Sequence, residues 1–243
     1  MELNEKDKKF IFDNIPIPYN TLDRYSRYIL SKIQMHDVLC TITKKTIIEL
    51  IDPLIKQYKH RFFCRVDDTH QQKRPASIID KIRRSQNNSE CERYEIHNFE
   101  NKMTDLAHFR IVCNFLSDVD KVSEVIKNSE EIKRSFHIKQ KSTIILRPKD
   151  RKSGERSIKF VLEYRKKSGL FIEIQVMTQL QEAWDKKDHF LVYEKRRSFS
   201  NKDEEIFPDF LDAKMFATAE LLFVADEYFE QLRNAREDKN ETT

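Results

Sequence analysis

Glycine is nearly missing from this chain, with two in 243 residues. A GxxxxGK phosphate loop or a GxGxxG dinucleotide turn needs backbone freedom that only clustered glycines supply, so both are excluded. Long apolar runs are missing too. No stretch nears the roughly 18 residues of a membrane-spanning helix, and the opening MELNEKDKKF is charged. We expect no span, no signal peptide and no membrane partner; the expected location is the cytoplasm. The four cysteines (40, 64, 91, 113) stand far apart, with no CxxC pair and no histidine at ligand spacing. They read as reduced thiols, not as a disulfide framework or a zinc site. Internal repeats and low-complexity tracts are absent.

What is present suits one sizeable α/β (α+β) domain with helical additions. Charged residues make up 35%, but 17 Phe and 8 Tyr provide a core and argue against wholesale disorder. The net charge of +4 is modest, yet the basic residues are clustered. KRPASIIDKIRR (73–84), KRSFHIKQKSTIILRPKDRK (133–152) and EKRR (194–197) are dense enough to point to a polyanion such as a nucleotide or RNA.

The first 65 or so residues read as helical. Leu22, Tyr25, Ile29 and Ile33 form one stripe, and TIIELIDPLIKQY continues it past an expected break at Pro53. A polar connector (66–74) leads to a helix opened by Pro75. A strand over 108–116 precedes a helix over 117–136, with Ser117 or Asp118 as cap. Extended runs follow at 142–146, 157–164 and 170–176, the last two forming a hairpin that turns at Gly169. Two helices close the chain, the second with Ala217, Leu221, Val224 and Tyr228 on one face. The expected layout is a helical region (1–65), a core (66–200) with a mixed, partly antiparallel sheet, a packed helix (201–235) and a disordered tail (236–243).

In LFIEIQV (170–176), Ile172, Ile174 and Val176 point one way, while Glu173 and Gln175 point the other with Met177. Asp105 stands just before the strand carrying Ile111. Two carboxylates at strand edges beside a basic helix (Lys73, Arg74, Lys81, Arg83, Arg84) suggest Mg²⁺ with a polyphosphate.

The order of these segments resembles the RelA/SpoT-type nucleotide pyrophosphokinases, in particular the small, single-domain alarmone synthetases. KRPASIIDKIRR resembles the family's basic ATP-binding helix, with Ser77 and Lys81 on its Ser and Lys. DLAHFRIVCNFL resembles the DLxGxRI strand, with Asp105 on the metal-binding position and Arg110 on the family arginine. GERSIKFVLE is similar to the GYRSxHLV acceptor loop. IEIQVMTQLQEAWDKKDHFLVYE resembles EIQIRTxxQxAWAExEHxxxYK. The likeness spans about residues 45 to 233. It implies transfer of the β,γ-pyrophosphate of ATP to a ribose 3′-hydroxyl. Lys73, Arg74, Ser77, Lys81, Arg84 and Arg110 would bind ATP. Asp105 and Glu173 would be catalytic, with Asp105 on Mg²⁺ and Glu173 either joining it at the metal or acting as base on the acceptor hydroxyl. Gln175, Glu155, Lys159 and His189 would face the acceptor, a guanine nucleotide or a tRNA 3′ end as in the toxic branch of the family.

Several positions depart from the patterns. The arginine that packs on adenine is Gln71, the tyrosine that stacks on guanine is Glu155, and the loop histidine is Lys159. The arginine of EIQIRT is Met177, the Glu before His189 is Asp188, and the lysine after the tyrosine is Glu194. Two readings follow: an active pyrophosphokinase, or a catalytically silent relative that binds nucleotide, RNA or a protein partner. His189 has helix capping or core packing as its ordinary role, Trp184 reads as core, and Lys149, Arg151 and Lys152 are either a solvated loop or an acceptor clamp. The terminal helices suit oligomerisation or autoinhibition, and the protein partners expected are a second copy of the chain (a homo-oligomer) or an antitoxin-like protein.

Overall fold

The computed structural model describes residues 19–58, 64–67, 71–87, 93–140, 154–193 and 208–241. A 40-residue helix, α1 (Tyr19–Tyr58), comes first. Ile29, Ile33, His36, Cys40, Thr43 and Ile47 recur along it at steps of three and four, and all are buried. The break expected at Pro53 does not occur. Proline removes the donor for the Glu49 carbonyl, but Glu49 and Pro53 both lie on the exposed side, where water can serve it. Among the described residues no helix is long and apolar enough to cross a membrane.

Five strands form one sheet: β1 (Cys64–Asp67), β2 (His108–Cys113), β3 (Phe136–Gln140), β4 (Ile158–Tyr164) and β5 (Phe171–Thr178), in the order β1-β2-β5-β4-β3. β2 and β5 run parallel and the other pairs antiparallel, giving the mixed sheet expected. One face is apolar. Phe109, Ile111, Phe160, Leu162, Ile172 and Ile174 pack there against Cys40 and Ile47 of α1 and Val119, Val122 and Ile126 of α4 (Leu116–Asn128). A second cluster joins Ile29 and Ile33 to Ile78 and Ile79 of α2 (Pro75–Asn87) and Phe99 of α3 (Phe99–Lys102). A third sets Trp184 of α6 (Gln179–Asp188) against Met215 and Ala219 of α7 (Pro208–Glu241). The Trp184 indole N–H donates to the Met215 carbonyl at 2.8 Å, so Trp184 is core, as expected.

Four local readings are corrected. The helix expected over 117–136 is two helices, because Ser129 takes an extended conformation and its hydroxyl accepts from the Ile132 N–H, opening α5 (Glu130–Ser135). Its expected caps, Ser117 and Asp118, lie inside α4. There the Ser117 N–H donates to the Glu230 carboxylate and Asp118 pairs with Arg233, so α7 supplies the cap. The strand β1 occupies ground expected to be helix and connector, since its Arg65 and Asp67 face the polar side of the sheet. Finally, Leu221, Val224 and Tyr228 do share a face of α7, but it is exposed. The packed stripe instead carries Met215, Ala219 and Asp226, whose carboxylate accepts from the Thr178 hydroxyl at 2.6 Å. Cys40, Cys64 and Cys113 are free and buried, which pushes the Cys40 and Cys64 thiols up to about 12. Cys91 and the run at 142–146 lie outside the described residues.

The β4–β5 hairpin is as expected and turns through Gly169 at φ +78°. A Cβ there would lie 2.8 Å from the Asn101 Cα, and backbone cannot yield as a flexible side chain does. Gly169→Ala should therefore lower stability by about 2–3 kcal/mol through left-handed strain and this contact, measured as a fall in the urea midpoint at unchanged slope.

Candidate functional site

The alternation of β5 puts Glu173 and Gln175 on the face opposite the core, and strand register decides their neighbours. Asp67 stands opposite Arg110, Arg110 opposite Gln175, and Gln175 opposite Lys159, so four polar side chains cross four strands in one row. The next row sets His108 beside Glu173. The helix α6 begins where β5 ends, its first turn capped by the Thr178 hydroxyl on the Gln181 N–H, and so hangs its acids over this face.

Asp105 reaches the same end of the sheet. The Glu173 N–H donates to the Ala107 carbonyl at 3.1 Å, two residues beyond Asp105, and the Lys73 N–H donates to the Leu106 carbonyl at 2.9 Å. That short ladder brings the Lys73 ammonium to one Asp105 oxygen at 2.7 Å, and Lys81, from the second turn of α2, takes the other at 2.8 Å. Burial works against the ionised form of Asp105, but the two ammonium groups outweigh it and hold the carboxyl well below its usual range. Burial, helped by Lys73, pushes the His108 imidazole down to about 4.

A relay of hydrogen bonds links the acidic and basic groups. Gln175 Nε2 donates to Glu173 Oε1 at 2.9 Å, and Arg110 Nε donates to Gln175 Oε1 at 3.2 Å. Arg110 Nη2 donates to Asp185 Oδ2 at 2.5 Å. Lys159 pairs with Glu155, and Arg65 with Glu182, which also meets Lys186 at 2.8 Å.

Most of the expected residues thus converge. Lys73, Lys81 and Asp105 form one group, and Glu173, Gln175 and Arg110 a second on the neighbouring strand. Glu155 and Lys159 form a third. Ser77 sits in the first turn of α2, its N–H on the Arg74 carbonyl, and the Arg74 side chain is exposed. Arg84 pairs with buried Asp80 of its own helix. His189 is exposed and takes the capping position of α6. Lys149, Arg151 and Lys152 lie outside the described residues. Sequence reasoning missed Asp67, His108, Glu182 and Asp185. Asp185 follows Trp184 on a helix starting at the site, but nothing local separates it from other surface acids. Among the described residues no three His, Cys, Asp or Glu side chains are grouped to hold a metal. A hollow of about 470 Å³, lined by Lys127, Lys133, Phe136, His137, Phe160 and Arg165 among others, lies toward the β3 edge and contains none of the site residues.

Residues 70–198, more than half of the chain, match the family model for the region found in RelA/SpoT proteins. Among curated proteins none matches the sequence. Among solved structures, the chain is similar to the small alarmone synthetase 1 from Bacillus subtilis bound to its product pppGpp. The identity is 22% and the TM-score 0.59, over 87% of this chain and 97% of that one. It is similar as well to a GTP pyrophosphokinase family protein from Streptococcus pneumoniae, at 21% identity and TM-score 0.58, over 90% and 98%. At such identities these two likenesses are of fold.

The depressed Asp105 carboxyl sets a pH dependence. Its contribution to stability is fully present above the ordinary carboxylate range and is lost as pH falls through that range toward the folded-state value. Below about pH 4 the wild type should lose stability more steeply than Asp105→Asn, and urea unfolding between about pH 5 and pH 2 measures the difference. Parallel curves would show that the two lysines contribute nothing through this carboxylate.

Proposed function

The chain belongs to the RelA/SpoT family, and on that premise we propose that it is an active pyrophosphokinase transferring the β,γ-pyrophosphate of ATP to a ribose 3′-hydroxyl. The hydroxyl oxygen attacks the β-phosphorus, the bridge to the α-phosphate breaks, AMP leaves, and the hydroxyl proton passes to the Glu173 carboxylate. Lys73, Lys81, Arg74 and Arg84, with Ser77, bind the triphosphate and oppose the charge that develops on it, with Arg110 beside them shared with Asp185. What supports this reading is that Asp105, with its two lysines, stands two residues before Ala107, whose carbonyl accepts the Glu173 N–H of the neighbouring strand.

Two carboxylates suit Mg²⁺, which usually takes one or two and fills its shell with water and substrate phosphates. Asp105 and Glu173 would hold it, and bound there it would neutralise phosphate charge. Asp105 is steered by Lys73 and Lys81, which hold its carboxyl well below the usual range, and Glu173 accepts a hydrogen bond from Gln175.

For the acceptor, we favour an RNA 3′ end over free GDP or GTP. Glu155 stands where the motif has its stacking tyrosine, and a carboxylate gives a base no platform and repels acceptor phosphates. An RNA gains affinity from phosphates contacted elsewhere on a basic surface. The silent reading also has an observation behind it. Gln71, at the position of the adenine-packing arginine, is tied to α1 through Asp37 (2.8 Å), Thr41 (2.9 Å) and Lys44 (3.1 Å).

Incubation with γ-labelled ATP, Mg²⁺ and GDP, GTP or deacylated tRNA separates these readings. We expect label on the RNA 3′ end with release of AMP, a steep loss with added salt, and at least a 100-fold loss in Glu173→Gln. Glu155→Tyr should shift preference toward GDP and GTP. Transfer to GDP alone would overturn the acceptor and keep the reaction; transfer to none would leave a silent binder.

A further inference from the structure

Four cations of the cleft, Lys73, Lys81, Lys159 and Arg110, meet carboxylates of the chain itself. Asp105 has a metal to hold in the proposed reaction, and Glu155 replaces an aromatic platform. Asp185 has neither role. It stands at the second alanine of the AWAE pattern, with Lys186 at the glutamate, so the carboxylate sits one residue earlier on α6, where it meets Arg110.

What that charge does follows from the edge of the guanidinium it occupies. Arg110 directs Nε to Gln175 Oε1 and Nη2 to Asp185 Oδ2, so both donors of one side of the fork are taken. This paired edge is one of the two through which a guanidinium grips a phosphate or carboxylate bidentately, and Nη2 belongs to both. Both side chains are about one-fifth exposed, so the pair is better shielded from water than an ordinary surface ion pair. Burial raises the Asp185 carboxyl and Arg110 opposes that rise, while Glu155 lies near enough to raise it further. The acceptor side therefore holds two acids, Asp185 and Glu155, close together.

We propose that Asp185 is a specificity-determining residue that withholds Arg110 from phosphate, so that the cleft binds free nucleoside polyphosphates weakly and favours a ligand whose phosphates are also held outside it. The inference rests on the cleft being a phosphate-binding site, as in the proposed function, but it predicts a gain on mutation where a structural role predicts a loss. Without the carboxylate, Arg110 keeps its place on Gln175 through Nε, regains Nη2 for a ligand, and the cleft becomes one charge more positive.

The test is calorimetric titration of the full chain with a non-hydrolysable ATP analogue and Mg²⁺, and separately with GDP, for wild type, Asp185→Asn and Asp185→Ala. We expect about tenfold tighter binding of at least one of these nucleotides in both variants. The gain should vanish when Arg110→Ala is added to either. Thermal melts identify a variant that fails to fold, and Asp185→Asn, of the same shape, is then the one read. Unchanged or weaker binding in folded variants overturns the inference, as does a gain that survives loss of Arg110. Tighter binding without pyrophosphate transfer by any form would keep this inference and remove the proposed reaction. Transfer by the wild type with unchanged affinities in the variants would do the reverse.

Discussion

The register of β5 between β2 and β4 is the constraint from which the rest of the molecule follows. Its side chains alternate, so a slip of one residue would turn Glu173 and Gln175 into the packed layer and put Ile172, Ile174 and Val176 in water. Burying an unpaired carboxylate costs several kcal/mol, and exposing three branched side chains forfeits about 1.5–3 kcal/mol each. The apolar contacts with α1 and α4 thus hold the polar face in position without touching it. Site geometry and core stability are set by the same pairing.

On that polar face the charges are arranged in answered pairs. Asp105 is shared by Lys73 and Lys81, Arg110 is divided between Gln175 and Asp185, and Lys159 meets Glu155. Each cation is therefore oriented by a partner with strand or helix backbone behind it, which limits the side-chain entropy lost when a ligand arrives. Under the proposed function an incoming phosphate would compete with a carboxylate for each donor, so such a site would be preorganised but weakly attractive and would discriminate by what else a ligand can touch.

Much of this was legible in the sequence because it is local. Strict alternation in LFIEIQV marked a strand with one polar face, and RKKSG before it marked the hairpin, where Gly169 does take a positive φ. The ordered motifs identified the family. Other features were hidden because the signal was conditional. Pro53 reads as a helix break unless Glu49 is known to face water. Ser129 is an ordinary helix residue until its hydroxyl finds the Ile132 N–H. The strand β1 looked like a connector because Arg65 and Asp67 meet Glu182 and Lys186 of α6, which lies more than a hundred residues away.

The sequence by itself determined the strands β2, β4 and β5 with their hairpin, which side of β5 is polar, and the family, since periodicity and motif order are written in neighbouring residues. Tertiary structure alone decided which acid answers which base. Glu182, Asp185 and Asp188 look alike in QEAWDKKDH, but the start of α6 at Thr178 brings Glu182 to Arg65 and Asp185 to Arg110. It also decided that α7 packs through Asp226 and Arg233 while Leu221 and Tyr228 face outward. The physical reason is the same in both cases. An ion pair or a buried carboxylate depends on distances between residues far apart in the chain, and no local pattern encodes those distances.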